Sequence, residues 1–316
     1  DIMKILFISP TFSGAGGIGP HAFRVSEKLS QEGHDIELMD TPHIPIKNLK
    51  NVSFSVFGTL KALSNSKTYD AVHAWNVPSA FIMKHIKAKK KILSIHGIYS
   101  EQVKMLHSKL AGSIVTSKED QVLDWADVLT TDSKYVQMEY KKKLGKDFEY
   151  IPAPLDPKKF TDIPDVKKNQ KQVVYVGRDS FEKGTDILKK IESKIDGNVK
   201  YCTSLPWNKA MEILKASQVF VLPSRVESIP QSIKEAFFLK IPVVATDVGG
   251  VHELVTNNKT GLLVAPNNPT ELLDKINYLL NNIELCNTLA NNAYEFITKN
   301  FSWEALLPKY IKLYES

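Results

Sequence analysis

The chain has 316 residues, 43% of them hydrophobic and 24% charged, with a formal net charge of +6. This is globular composition at a length that suits two domains, and it excludes a disordered chain. No apolar run approaches the ~20 residues that a membrane-spanning helix needs, and the start lacks the basic and apolar regions of a signal peptide, so the cytoplasm is the expected compartment.

Short β-branched runs alternate with amphipathic segments along the chain. Residues 5–9 read as a strand, 20–32 as a helix and 35–39 as a second strand, which is a βαβ opening. Further strands are expected at residues 71–74, 91–95, 128–130 and 148–151, and the pattern implies a parallel sheet covered by helices. Residues 151–171 carry prolines and charges that sustain neither period, so they read as a linker. The alternation resumes with strands at 173–176, 201–203, 219–222, 243–245 and 261–264. The expected fold is therefore α/β, with two Rossmann-like doubly wound domains at residues 1–152 and 172–300, a linker at 153–171 and a C-terminal helix at 301–316 packing back on the first domain. Ligands of such folds collect beyond the C-terminal strand ends, which places the expected site in a cleft between the domains.

Lysines cluster at residues 87–91 and 141–143. They read as solvated helix faces or as local attractors for anionic lipid or a phosphate-bearing acceptor. No basic-aromatic interleaving or nucleic-acid module is present, so nucleic acid is not an expected partner. Cys202 and Cys286 form no metal or redox cluster and are expected to be reduced.

Three segments carry candidate chemistry. The first strand runs into Thr11-Phe12-Ser13-Gly14-Ala15-Gly16-Gly17-Ile18-Gly19-Pro20. Its glycines let backbone approach a ligand, and a proline-led helix start favours an anion, although a tight turn needs the same residues. The first strand of the second half ends in Gly177-Arg178, followed by Glu182-Lys183-Gly184. An arginine fork and a mobile lysine suit a diphosphate that gains charge as it leaves; the same cations also suit surface pairs with Asp179 and Glu182. Third comes Glu227-Ser228-Ile229-Pro230-Gln231-Ser232, with seven residues separating Glu227 from Glu235. If Pro230 opens a helix, the amides of residues 228–232 face an anion while Glu227, in the loop, and Glu235, in the second turn, accept hydrogen bonds from sugar hydroxyls. The alternative leaves Glu235 an exposed helix residue and Glu227 a dipole partner.

The order of glycine-rich loop, Gly-Arg, Glu-Lys-Gly and Glu-x7-Glu resembles the retaining GT-B glycosyltransferases of family 4, the glycosyl transferases group 1. The similarity continues through Ile241-Pro242-Val243-Val244-Ala245-Thr246-Asp247-Val248-Gly249-Gly250, Glu253-Leu254-Val255 and Gly261-Leu262-Leu263-Val264. The resemblance implies an N-terminal domain that binds the acceptor and a C-terminal domain that binds a nucleotide-diphosphate sugar. It implies that Arg178 and Lys183 neutralise the diphosphate, Glu235 holds the ribose, Glu227 contacts the transferred sugar and Gly16 and Gly17 close on the phosphates. The segment Ile92-Leu93-Ser94-Ile95-His96-Gly97 resembles the family strand whose terminal histidine faces the donor sugar, which selects His96 among eight histidines and ranks His73 below it. Similar enzymes retain configuration without a metal, and no Asp-x-Asp pair or His/Cys cluster is placed here to bind one.

Three positions depart from the family pattern: Ser228 and Lys240 where glycine is common, and Ala153-Pro154 in place of Asn-Gly. Residues 48–65 place Leu49, Val52, Phe54, Val56, Phe57, Leu60 and Leu63 among Lys47, Lys50 and Lys61. This suits either a helix packed on the first sheet or one that docks on anionic membrane near a lipid-linked acceptor. The expected activity is metal-independent transfer of a sugar to a glycan or lipid-linked acceptor in cell-envelope glycan, glycolipid or polysaccharide synthesis, with the nucleotide sugar as co-substrate and no other cofactor. A sugar-nucleotide epimerase or a non-catalytic nucleotide-sugar-binding subunit are the alternatives.

Overall fold

A computed structural model describes residues 2–13, 17–41, 50–98 and 119–315. The chain divides into two compact units, Asp1–Pro152 with Leu307–Ser316, and Ala153–Leu306.

The first unit runs β1 (Lys4–Ile8), α1 (Ile18–Gln31), β2 (Asp35–Met39), α2 (Lys50–Leu63), β3 (Thr68–Ala74), α3 (Val77–Met83), β4 (Lys87–Ser94), β5 (Val128–Thr131), α4 (Lys134–Leu144) and β6 (Glu149–Tyr150). Its six strands are parallel, in the order β2-β1-β3-β4-β5-β6. Ile5, Leu6, Phe7 and Ile8 of β1 are wholly inaccessible, as a central parallel strand with both faces covered requires. The lysines at 87–91 do not form a helix face; they open β4, whose burial rises toward Ile92, Leu93 and Ser94. Lys141, Lys142 and Lys143 lie in the last turn of α4, where cations complement the helix dipole.

Helix α2 is two-sided. Phe54, Gly58 and Ala62 are buried, and a Cβ on Gly58 would collide with Ile82 of α3. Val52, Val56, Phe57, Leu60 and Leu63 are exposed by 60, 51, 44, 61 and 64%. At 100° per residue these five span an arc of about 140°, with Lys50 and Lys61 at its edge. Lys47, Asn48 and Leu49 lie outside the described residues.

The second unit runs β7 (Gln172–Val176), α5 (Thr185–Ile191), β8 (Asn198–Cys202), α6 (Trp207–Ala216), β9 (Val219–Leu222), α7 (Gln231–Phe238), β10 (Val243–Thr246), α8 (Val251–Leu254), β11 (Leu262–Val264), α9 (Pro269–Leu280) and α10 (Ile283–Asn300). The last helix, α11 (Trp303–Glu315), begins here, and its residues from Leu307 onward group with the first unit. The parallel sheet has the order β11-β10-β9-β7-β8. The segment read as a linker packs on this core: Leu155, Phe160 and Ile163 are buried in it around a 3-10 turn at Pro157–Phe160. Cys202 and Cys286 are buried free thiols, and burial raises both pKa values.

Numbered within its own unit, the first sheet has the strand order 2-1-3-4-5-6 and the second 2-1-3-4-5, each with its first and third strands side by side. Connections from those two strands leave in opposite directions, which opens a crevice beyond their C-terminal ends. In the first unit this point lies past β1 and β3, and in the second past β7 and β9.

Candidate functional site

In the second unit, the chain leaving β7 is shaped by two glycines. A Cβ on Gly177 would come within 2.5 Å of the Tyr175 hydroxyl, which donates to the Arg178 carbonyl at 2.7 Å. Gly184 has φ 66°, and a Cβ there would lie 1.9 Å from the Pro223 carbonyl oxygen at the exit of β9. Only glycine lets the Phe181–Lys183 turn lie against that backbone. Arg225 fastens the two loops together. Its guanidinium binds both oxygens of Asp186 at 2.7 and 2.8 Å, donates to the Phe181 carbonyl at 2.6 Å and lies 3.9 Å from the centre of the Phe181 ring. Its backbone N–H donates to the Glu182 carbonyl at 2.8 Å.

This staple brings Lys183 and Glu227 together. The Lys183 ammonium donates to Glu227 Oε1 at 2.7 Å, and the Ser224 hydroxyl donates to the same oxygen at 2.7 Å. Glu227 is 8% exposed, so its charge is held by a cation and a hydroxyl in low dielectric. Lys183 is therefore not a surface cation paired with Asp179, which instead accepts from Thr185 and Lys189. Arg178 fits that simpler description better: its side chain is 77% exposed and its ion pair to Glu182 spans 3.4 Å.

Pro230 caps α7 without a side-chain bond, so Gln231 and Ser232 begin the helix, Ser228 and Ile229 precede it, and Glu235 falls in the second turn. A helix start of this kind offers first-turn amides that have no acceptor within the helix. Ser228 does not adopt a positive φ, so serine in place of glycine strains nothing; Lys240 at φ 55° does occupy a left-handed conformation that glycine would fill at lower cost. Glu235 is half-buried and meets a different partner: Oε1 accepts from the Trp207 indole N–H at 2.7 Å. Burial pushes its carboxyl up to about 7, against the opposing effects of Trp207, Lys159 and Lys234. Lys234 is fully buried beside it, donating to the Ala153 carbonyl at 2.9 Å and facing the Phe301 ring.

In the first unit, Gly17 caps α1 at φ 91°, and a Cβ on Gly19 would come within 2.4 Å of the Thr11 carbonyl oxygen. Thr11, just beyond β1, therefore lies close against the helix start. Gly16 lies outside the described residues. His96 stands just past β4 with Nδ1 3.3 Å from Asp132 Oδ1. Its ring lies parallel to that of Trp75 at 6.0 Å, and His21 meets both edge-on. His73 is a structural residue: it is inaccessible, bonded at 2.6 Å to both Tyr314 and Ser94. Burial, with His96 and His21 nearby, lowers its pKa well below 6.5.

Sequence reading overlooked Trp207, Arg225, Ser224, Trp75 and Asp132. Ser224 and Arg225 had a signal, since they lie inside the same motif as Glu227. Trp207 had only its place at a helix start after a strand.

Residues 191–296 match the family model for glycosyl transferases group 1. An uncharacterized glycosyltransferase of Methanocaldococcus jannaschii is 25% identical, the match covering 99% of this chain and 98% of that one. Sucrose-phosphate synthase from Thermosynechococcus elongatus superposes with a TM-score of 0.82 at 18% identity, over 99% of this chain and 98% of that chain. The Anabaena protein HepE, solved in complex with UDP-glucose, superposes with a TM-score of 0.71 at 17% identity, over 98% and 99% of the two chains. Two parallel-sheet α/β units give the chain the GT-B fold of these structural neighbours, and its second unit resembles the glycosyl transferases group 1.

Proposed function

We propose that the chain is a retaining, family 4 enzyme that moves a sugar from a nucleoside diphosphate sugar to an acceptor hydroxyl without a metal ion. The observation that carries this reading is the Lys183–Glu227 pair, held beside the start of α7 at the switch point of the second sheet. A lysine, a mobile arginine and first-turn amides suit a diphosphate, and the two glutamates suit hydroxyl groups. UDP-glucose in HepE is the kind of donor this arrangement fits.

In the reaction, the bond from the anomeric carbon to the diphosphate oxygen breaks with its electron pair staying on phosphate. The acceptor oxygen bonds the anomeric carbon from the same face, and its proton passes to the departing phosphate. Arg178 and Lys183 stabilise the charge that develops there, while Glu227 contacts the sugar and Glu235 the ribose. His96, with Nδ1 3.3 Å from Asp132 Oδ1, is the histidine we assign to the donor sugar. A thermal-shift and hydrolysis screen with UDP-, GDP- and ADP-sugars, with and without EDTA, tests the reading. One donor family should stabilise the protein and slowly release free sugar, unchanged by EDTA; binding that EDTA abolishes would contradict it.

The acceptor we propose is a lipid-linked or envelope glycan met at the cytoplasmic membrane surface. The exposed apolar arc of α2, with lysines at its edge and no acidic residue along Lys50–Leu63, suits an anionic interface. Among the described residues no helix is long and apolar enough to cross a membrane. Co-sedimentation with anionic liposomes at low salt, weakened in Leu60→Glu, is the expected result; equal sedimentation of both proteins, or of neither, would count against docking through α2.

A further inference from the structure

Glu235 has an environment that its role as a sugar ligand does not by itself require. Its helix neighbour Lys234 is turned away to the Ala153 carbonyl, and the only hydrogen bond formed to its carboxylate among the described residues comes from an uncharged indole. That indole is itself braced. Phe160 meets Trp207 edge-on at 5.2 Å, Lys159 lies 5.7 Å above its ring, and Phe160 packs in turn on Phe238 of α7 at 4.6 Å. A rigid aromatic loses little rotamer freedom in holding a partner, and a neutral donor fixes a carboxylate without forming an ion pair that a ligand must break.

Resting on the reading of Glu235 as the ribose ligand, we propose that Trp207 is a positioning residue: its indole N–H holds one carboxylate oxygen of Glu235 and leaves the other for the ribose hydroxyls of a nucleoside diphosphate. The hydrogen bond also favours the ionised carboxylate, the form that accepts from two hydroxyls, against the burial that raises its pKa. The charged groups acting on that carboxylate are Lys159, on the 3-10 turn, and Lys234, on its own helix.

Trp207→Phe keeps a ring against Phe160 and removes the donor. In the ligand-free protein, the Glu235 carboxyl followed by 13C NMR should titrate about one pH unit higher in the variant. Affinity for UDP, GDP or ADP, whichever the wild type binds, should fall about tenfold, while inorganic pyrophosphate, which has no ribose, binds equally well to both proteins. KM for the donor should rise with kcat changed less than about twofold. In a Glu235→Gln background the same substitution should cost little, which separates a lost hydrogen bond from a damaged fold. An unmoved Glu235 titration, or equal loss of nucleoside diphosphate and pyrophosphate binding, would overturn the proposal. A wild-type protein that binds pyrophosphate as tightly as any nucleoside diphosphate, with the titration still shifted, would instead remove the ribose role on which it rests.

Discussion

Glu227 and Glu235 stand in one motif with seven residues between them, yet the fold treats them differently. Glu227 is 8% exposed and tied to an ammonium and a hydroxyl. Glu235 is more exposed, has a neutral indole for a partner, and is raised to about 7. The first arrangement fixes a charge in a buried ion pair; the second keeps a charge that the folded protein holds at a cost. Equal residue types at a family spacing therefore carry unequal stability and unequal readiness to bind, and substitutions should separate them.

The largest effect should come from breaking the fixed pair. Lys183→Ala leaves a buried carboxylate with Ser224 as its remaining side-chain partner among the described residues, which should lower the unfolding free energy by about 2–3 kcal/mol in urea melts and abolish transfer. Glu235→Gln should do the opposite to stability. Unfolded, this carboxyl releases its proton near its ordinary 4.5; folded, it does so at about 7. Ionisation between those values destabilises the fold, so the glutamine variant should be more stable at pH 8 by roughly 2 kcal/mol, lose that advantage below about pH 5, and bind nucleotide more weakly. Equal stability at both pH values would remove the contrast. The smallest effect sharpens it from outside the motif: Lys240→Gly relieves a left-handed lysine and should stabilise by at most about 1 kcal/mol, part of it offset by the lost contact to the Tyr294 ring. Donor binding should not change.

The same contrast explains what could be read beforehand. The strand at 219–222 is legible to the residue because all four side chains are buried and apolar. The start of β4 is not, because Lys87, Lys89 and Lys90 interrupt the pattern while backbone pairing with β3 continues. Pro230 at the mouth of α7 and the glycines flanking Arg178 and Lys183 have local steric reasons, so sequence alone indicates the loop-helix geometry. The Trp207–Glu235 bond joins side chains 28 residues apart on two helices, and no spacing rule connects them. The Lys183–Glu227 pair, 44 residues apart, depends on Arg225 and on a glycine that can touch Pro223.

The most direct test of the central claim is steady-state kinetics of nucleoside diphosphate release by the wild type, Glu227→Gln and Glu235→Gln, with the donor concentration varied. The account predicts that Glu227→Gln collapses kcat with little change in KM, whereas Glu235→Gln raises KM and largely spares kcat. Parallel losses in both parameters for both variants would contradict a division of labour between the two carboxylates.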